Sequence, residues 1–345
     1  MQFKPYLELA KIRLTAMVLI TTAVGFILGS EGTVAYERLF WTILGTGLAA
    51  AGASTLNQLL EIRRDALMQR TCGRPLPSGQ VSSFQAFVFA LCTSAAGVGI
   101  LNELVNPLTA LLGLANIIIY SLIYTPLKAR TSLCTLVGAI CGALPPIMGW
   151  TGAGNSNWLG AVLLGTILFL WQIPHFLSLV WVCRDDYAKA GFRMLPLIDP
   201  EGHLTCLMIV LYSLALLPLG LAVTFAGLAG YLFGAVSLLL GLGWFLLAVK
   251  LRRAKTRQNA RRVFLGSLVY LPLLMLFLVL DGHPQTTDVP PKPAAEVRLA
   301  AATSSVGWAE PRRVPPRSWL DSPTMRPVDL LAMTAPPEFV GVQIR

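Results

Sequence analysis

Three oxygen-bearing side chains recur at four-residue intervals where the second apolar stretch of the chain ends. Asn57, Glu61 and Asp65 occupy positions i, i+4 and i+8, which on a helix places them on one face, one turn apart. Carboxylates beside a membrane span are costly and usually functional. Mg²⁺ commonly takes one or two carboxylates together with substrate phosphates. The spacing therefore predicts a Mg²⁺ site, although Arg63 and Arg64 could instead pair with these acids at an ordinary helix end.

A second acidic motif follows the sixth apolar stretch, where Asp185 and Asp186 stand side by side. It echoes the first motif, because each is followed by an arginine and a Leu-Pro pair, at Arg74–Pro77 and Arg193–Pro196. Two acidic groups facing each other across a helix bundle could hold Mg²⁺ and a diphosphate between them. We therefore predict that both aspartates join the three residues of the first motif as metal ligands and catalytic residues.

Basic side chains stand beside both motifs at the same helix ends. An arginine guanidinium can bind phosphate oxygens through two parallel hydrogen bonds, and Lys128 and Arg130 close the fourth apolar stretch. These cations could equally serve only to orient the chain in a membrane. The predicted diphosphate-binding residues are Arg70, Arg74, Tyr124, Lys128, Arg130 and Arg184.

A histidine lies inside the sixth apolar stretch. His175 directly follows Pro174, and a proline in that position disturbs the regular hydrogen bonding of a helix. The imidazole could be an axial ligand for a heme iron, a proton carrier, or a buried hydrogen-bonding group. We keep His175 among the candidate catalytic residues, with these three roles open.

The motifs lie at the ends of long apolar stretches. Hydrophobic residues make up 55% of the 345-residue chain and charged residues 13%, against about 25% charged in a soluble domain. Apolar stretches of about 20 residues cross lipid as helices, because lipid cannot satisfy free backbone groups. The sequence predicts an all-α polytopic membrane bundle of about nine transmembrane helices. Their approximate limits are 12–29, 39–60, 83–101, 108–127, 132–152, 157–182, 204–226, 229–250 and 263–281.

The basic residues between these spans lie almost entirely in every second loop, and therefore on one side of the membrane. The segments of one side hold both acidic motifs and 19 lysines and arginines, whereas the loops of the other side hold one, Arg38. This asymmetry predicts that the N-terminus and both motifs lie inside, at the cytoplasmic face of a bacterial inner membrane, and the C-terminus outside. It also explains the net charge of +10 without a nucleic-acid partner.

The remaining segments predict no further covalent or metal chemistry. We expect no cleavable signal peptide, because no small-residue cleavage site follows the first apolar stretch. The six cysteines form no Cys-x-x-Cys pair, so we expect neither disulfides nor a cysteine metal site. Residues 282–345 are rich in proline and lack a long apolar run, which is typical of a disordered tail.

With these residues laid out, the chain resembles the heme-farnesylating branch of the UbiA-type intramembrane prenyltransferases over roughly residues 5–281. The matching stretches are LAKIRLTAMVLITTAVGFILG, NQLLEIRRDALMQRTCGRPLPSG, YTPLKARTS, GALPPIMGW and WQIPHFLSLVWVCRDDYAKAGFRMLP. The combination of the first acidic motif with its RPLPSG loop and the last of these stretches points to the heme branch. The superfamily pattern begins Asn-x3-Asp-x3-Asp, and here Glu61 fills the middle position. The second motif of the superfamily carries further acids where this chain has Phe176 and Cys183.

The resemblance implies helices around a central cavity, Mg²⁺ dependence and farnesyl diphosphate as the prenyl donor. It implies heme b as the acceptor and heme O as the product, with heme-handling or oxidase-assembly proteins as candidate partners beside the lipid bilayer. Residues 1–281 would then be the transmembrane prenyltransferase domain. The open alternatives are another acceptor, such as a quinone precursor or a chlorophyllide, and a transporter, whose acids usually lie near the membrane midplane.

Overall fold

The computed structural model describes residues 4–282, which are almost entirely helical. This part of the chain contains nine helices that are long and apolar enough to cross a membrane, which confirms the predicted number of spans. The predicted tail, residues 282–345, lies outside the described residues except for its first position. The long helices are α1 (Ile12–Gly29), α2 (Tyr36–Asp65), α3 (Ser83–Leu104), α4 (Pro107–Leu127), α5 (Cys134–Gly152), α6 (Trp158–Val182), α7 (His203–Phe225), α8 (Tyr231–Arg253) and α9 (Arg257–Leu280).

Helix α2 continues past the predicted apolar span, which ends at residue 60, to Asp65, as the spacing of the first acidic motif requires. The added turn contains no glycine or proline, and Arg63 and Arg64 in the last turn interact favourably with the negative end of the helix dipole. The extension keeps the entire first acidic motif in helical geometry. Its three polar residues therefore keep the spacing of one turn on a single rigid element.

The helices that surround the site pack closely through small residues. Helix α1 lies against α2 and α5, and α6 lies against α5, α7 and α9. At the α1–α5 crossing, a Cβ atom on Gly149 would collide with the carbonyl oxygen of Thr22. Glycine at this position allows the two backbones to touch, as is common between membrane helices. The close crossing positions α1, and the segment that precedes it, beside α2.

Helix α4 is interrupted by a π-helical turn. Its first part, Pro107–Ile118, leads into the π-helix Ile119–Tyr124 and ends in the short helix Thr125–Leu127. The Thr125 hydroxyl donates to the Tyr120 carbonyl at 2.8 Å. π-Helical turns are rare and are often found at functional sites. Here the turn places the rings of Tyr120 and Tyr124 in a stack with centroids 5.4 Å apart.

Within residues 4–282, three short helices lie outside the long ones. They are Lys4–Leu9 before α1, and Arg184–Lys189 and Leu195–Ile198 between α6 and α7. The two later helices belong to the second acidic motif, and backbone N–H of Arg193 donates to the carbonyl of Lys128 at 2.8 Å. The end of α4 and the second motif are therefore in direct contact, which is the clustering at one end of the bundle that the sequence predicted.

Candidate active site

The first acidic motif is a buried row on α2. Asn57, Glu61 and Asp65 are only 1%, 3% and 1% exposed. The Asn57 amide donates to Glu61 Oε2 at 3.0 Å and to Thr125 Oγ1 at 2.9 Å, which ties the row to the end of α4. The structure thus places the three predicted residues together on one helix face. Carboxylates this deeply buried require partners, because an isolated buried charge is very costly.

Two cations from separate segments supply those partners. Lys128, just after α4, forms an ion pair with Glu61 through its ammonium group. Arg74, in the loop after α2, pairs with Asp65, with Nη1 2.6 Å from Oδ2. Both cations were predicted to bind diphosphate. In this structure they pair with two of the carboxylates that are predicted to bind the metal.

A third cation completes the row. Lys11 Nζ donates to Asn57 Oδ1 at 2.7 Å and lies 5.8 Å from the centroid of the Tyr120 ring. Burial, with the nearby charges of Arg74 and Lys128, lowers the pKa of Lys11 to about 7, against the opposing effect of the carboxylates. Lys11 is one of the basic residues expected to orient the chain, and nothing in its sequence position predicts a contact with Asn57. Each residue of the acidic row therefore faces one cation, and each cation comes from a different segment.

The second acidic motif approaches this row with aromatic side chains. The ring of Phe192 lies 5.4 Å from Lys128 Nζ, and the Tyr187 hydroxyl accepts a hydrogen bond from Arg70 Nη2 at 3.2 Å. Burial raises the pKa of Tyr187 above its usual value, so this phenol stays neutral and keeps its hydroxyl hydrogen for a hydrogen bond. The motif therefore touches two of the predicted diphosphate-binding cations directly.

The aspartates of the second motif are placed differently. Asp185 is exposed and Asp186 is partly buried, both in the first turn of the short helix Arg184–Lys189. Within residues 4–282, no three His, Cys, Asp or Glu side chains converge closely enough to hold a metal ion. The structure thus brings the two motifs together but does not gather all four carboxylates into one cluster. Metal ligation by Asp185 and Asp186 stays a prediction.

Three further predicted diphosphate-binding residues, Tyr124, Arg130 and Arg184, differ in how near they lie to the acidic row. Tyr124 is next to it, because its ring centroid is 5.0 Å from Lys128 Nζ. Arg130 is exposed. Arg184 contacts the segment after the second motif, where its guanidinium donates to the Pro200 carbonyl at 3.1 Å and lies 5.7 Å from the Trp181 ring. Tyr124 is therefore the best placed of these three.

His175 lies between α6 and α9. Its Nδ1 is 2.7 Å from the Ser267 hydroxyl, and its ring stacks on Trp171 with centroids 4.8 Å apart. The same helix turns Gln172 and Phe176 towards the internal cavity instead. Of the three roles open for His175, this geometry matches the hydrogen-bonding group most directly, and a catalytic role stays a prediction.

An apolar cavity begins beside the acidic row. It has a volume of about 170 Å³, and Tyr120 and Tyr124 line it next to the row. Further along, its walls are formed by small and aliphatic side chains of α1, α2 and α5 and by Phe176 of α6. A polar, charged head with an apolar chamber behind it is suited to a substrate that carries a diphosphate on a hydrocarbon chain.

The acidic row has the features of a Mg²⁺ site. Asp65 Oδ1 is fully buried and finds no hydrogen-bond partner among the described residues. Such an oxygen is costly to leave unpaired, and a hard cation that binds oxygen ligands would satisfy it. The amide and two carboxylates of the row therefore fit Mg²⁺.

A charged row beside an apolar cavity, within a bundle of membrane helices, is typical of a membrane enzyme whose substrate has a charged head and an apolar chain. Comparison with known proteins identifies the family. The UbiA prenyltransferase family matches residues 18–278. The chain belongs to this family. One curated relative, the protoheme IX farnesyltransferase of Solibacter usitatus, is 41% identical over 288 residues, which is 81% of this chain and 98% of the relative.

Solved structures of the same fold agree. A structure described for digeranylgeranylglyceryl phosphate synthase superposes with a TM-score of 0.67 at 15% identity, over 81% of this chain and 98% of that one. A UbiA homologue from Archaeoglobus fulgidus, bound to GPP and Mg²⁺, gives 0.60 at 16% identity, over 80% of this chain and 99% of the homologue. These likenesses show that the helical bundle is the UbiA fold.

Proposed function

We propose that this chain is a protoheme IX farnesyltransferase, also called heme O synthase. It transfers the farnesyl group of farnesyl diphosphate to a vinyl group of heme b, with addition of water, and releases diphosphate. The observation that carries the proposal is the 41% identity to a protoheme IX farnesyltransferase over 98% of that relative. The charged row at the mouth of an apolar cavity supports the chemistry, because it suits an allylic diphosphate.

The donor diphosphate binds at the first motif. Asn57, Glu61 and Asp65 would hold Mg²⁺, which when bound neutralises charge on the leaving group. Lys128 and Arg74 then exchange their carboxylate partners for diphosphate oxygens. Cations aimed at the leaving oxygens lower the barrier for breaking the allylic C–O bond, because negative charge develops there.

The second motif covers this head group. Tyr187 and Phe192 contact the cations Arg70 and Lys128, so the segment lies where it excludes water from the diphosphate. Asp185 and Asp186 are the proposed outer ligands of the metal. Arg70, Arg130, Arg184 and Tyr124 complete the proposed diphosphate site, with Tyr124 nearest the acidic row.

The apolar cavity receives the farnesyl chain. It also shields from water the allylic carbocation that forms when the C–O bond breaks. A vinyl group of heme b forms the new carbon–carbon bond with the farnesyl carbon. Water then captures the resulting cation and gives up a proton, which leaves a hydroxyl on the product. His175 is a proposed orienting residue for the porphyrin, and its hydrogen bond to Ser267 holds the imidazole in one orientation.

The protein is an integral membrane protein, and we propose its orientation from the loop charges. The acidic motifs face the cytoplasm, the N-terminus is inside and the C-terminus is outside, in the inner membrane of a bacterium. Residues 1–281 form the catalytic domain, and residues 282–345 are dispensable for turnover. Heme-handling or oxidase-assembly proteins are the proposed partners.

The test measures acceptor dependence with purified protein in lipid nanodiscs. Diphosphate release from farnesyl diphosphate should require both Mg²⁺ and heme b. Quinone precursors and chlorophyllide, supplied in place of heme b, should give only background release. Release that depends on one of these other acceptors would contradict the heme assignment while keeping the chain among the UbiA prenyltransferases.

A further inference from the structure

We propose that Lys11 is a further diphosphate-binding cation, which contacts Asn57 in this structure and moves to the diphosphate when the metal takes Asn57. The proposal deepens the proposed function and rests on it for the substrate class. Lys11 lies before the first span, far from both acidic motifs in sequence. The evidence for its role is therefore entirely geometric.

Lys11 stands where the acidic row meets the apolar cavity. Its ammonium group is 2.7 Å from Asn57 Oδ1 and 3.4 Å from the Tyr120 hydroxyl. Leu14 and Thr15, the next residues on the same face of the chain, line the cavity. A prenyl diphosphate that places its charged head on the row and its chain in the cavity has its scissile C–O bond at this junction. Lys11 is therefore placed to contact the oxygen that leaves.

The backbone at Lys11 has an unusual conformation that directs the side chain towards Asn57. Lys11 has φ 48° and ψ 53°, and it is the one non-glycine residue with positive φ within 4–282. This left-handed conformation is unfavourable for a residue with a Cβ atom. The Gln58 amide, next to Asn57 on α2, donates to the carbonyl of buried Leu9 at 2.8 Å. The row-bearing helix thus holds the strained turn, and such strain is typical of functional positions.

Metal binding changes what Lys11 can contact. A divalent cation coordinated by Asn57 Oδ1 would repel an ammonium group on the same oxygen. The lysine stem is flexible and its ammonium carries three donors, so it can move from the amide to a diphosphate oxygen nearby. Lys11 therefore opposes the metal when the metal binds alone and assists it when diphosphate binds too.

This double role gives opposite effects in one variant. Lys11→Met should raise the affinity for Mn²⁺ alone several-fold, measured by electron paramagnetic resonance in nanodiscs. The same variant should bind inorganic diphosphate in the presence of Mg²⁺ about tenfold more weakly, as expected for a lost charge-assisted hydrogen bond. Arg13→Met is the matched control, because Arg13 is exposed and contributes the same charge to the same segment. Both of its affinities should stay at the wild-type values.

Any other combination of the Mn²⁺ and diphosphate affinities of Lys11→Met overturns the proposal. Examples are two unchanged affinities, or a loss of both. Lys11→Gln replaces Lys11→Met if the methionine variant does not fold, because glutamine can still donate to Asn57 without the charge. Failure of the proposed function is a separate result. Wild-type protein that binds metal and diphosphate but leaves heme b unchanged would overturn the heme assignment and not the role of Lys11.

Discussion

The two acidic motifs look alike in sequence and are built differently. In the first, Glu61 and Asp65 are almost fully buried on a long helix, and each is paired with a cation. In the second, Asp185 is exposed on a short helix, and the residues that reach the first motif are the aromatic Tyr187 and Phe192. The first motif is therefore organised to grip a charged ligand, and the second to cover it.

The paired cations explain how the buried acidic row is stabilised. Removing one partner of a buried pair leaves an uncompensated charge, which typically costs about 3–5 kcal/mol. Lys128 and Arg74 prevent that cost by pairing with Glu61 and Asp65. Because they are also the proposed diphosphate ligands, diphosphate binding would exchange these ion pairs for contacts with phosphate oxygens.

The largest expected effect tests the first motif. Asp65→Asn should reduce turnover by roughly a hundredfold or more, because it removes a carboxylate aimed at the metal and diphosphate. Heme b farnesylation in membranes measures this, and the amount of inserted protein should not change. Turnover near the wild-type rate would remove Asp65 from the metal site.

The next effect tests whether the second motif is the weaker metal ligand. Asp186→Asn should reduce turnover by about tenfold, and Asp185→Asn by less, because an exposed carboxylate is screened by water. The comparison uses the same assay and expression level as for Asp65→Asn. Losses as large as that of Asp65→Asn would show that both motifs grip the metal equally.

A smaller effect tests the aromatic cover. Phe192→Leu keeps the apolar bulk but removes the ring beside the Lys128 ammonium, an interaction worth about 0.5–2 kcal/mol. The affinity for farnesyl diphosphate should fall by a few-fold, measured by calorimetry. Phe225→Leu is the control, because Phe225 is 80% exposed at the far end of α7. Equal affinities in both variants would show that the ring does not act on Lys128.

The smallest effect concerns His175. Its hydrogen bond to Ser267 contributes about 0.5–1.5 kcal/mol, so Ser267→Ala should lower the melting temperature by a few degrees and change kcat little. His175→Ala should match it if the imidazole only fills this position. A much larger loss of kcat in His175→Ala than in Ser267→Ala would assign the imidazole to heme or to proton transfer.

The span number and the acidic row follow from local pattern. Apolar length predicts membrane helices, and the spacing of Asn57, Glu61 and Asp65 predicts a shared face on any regular helix. Both predictions depend on residues within one element. The first motif is therefore predictable from sequence in full, including the carboxylate Glu61 in place of the aspartate of the superfamily pattern.

Contacts between distant segments could not be predicted in the same way. Lys11 meets Asn57 across 46 positions, and His175 meets Ser267 across 92. The π-turn Ile119–Tyr124, which orients Tyr120 beside Lys11, has no sequence signal that we recognised. Each of these features depends on how helices cross, and helix crossing is set by packing that a single sequence does not display.

The most direct test of the central claim is mass spectrometry of hemes extracted from cells that express the chain. Wild-type protein should convert heme b into a heme heavier by a farnesyl group plus the elements of water. Asp65→Asn, inserted to the same level, should leave the heme b pool unchanged. A heme b pool that stays unchanged with wild-type protein, despite good expression and supplied farnesyl diphosphate and Mg²⁺, would contradict the account.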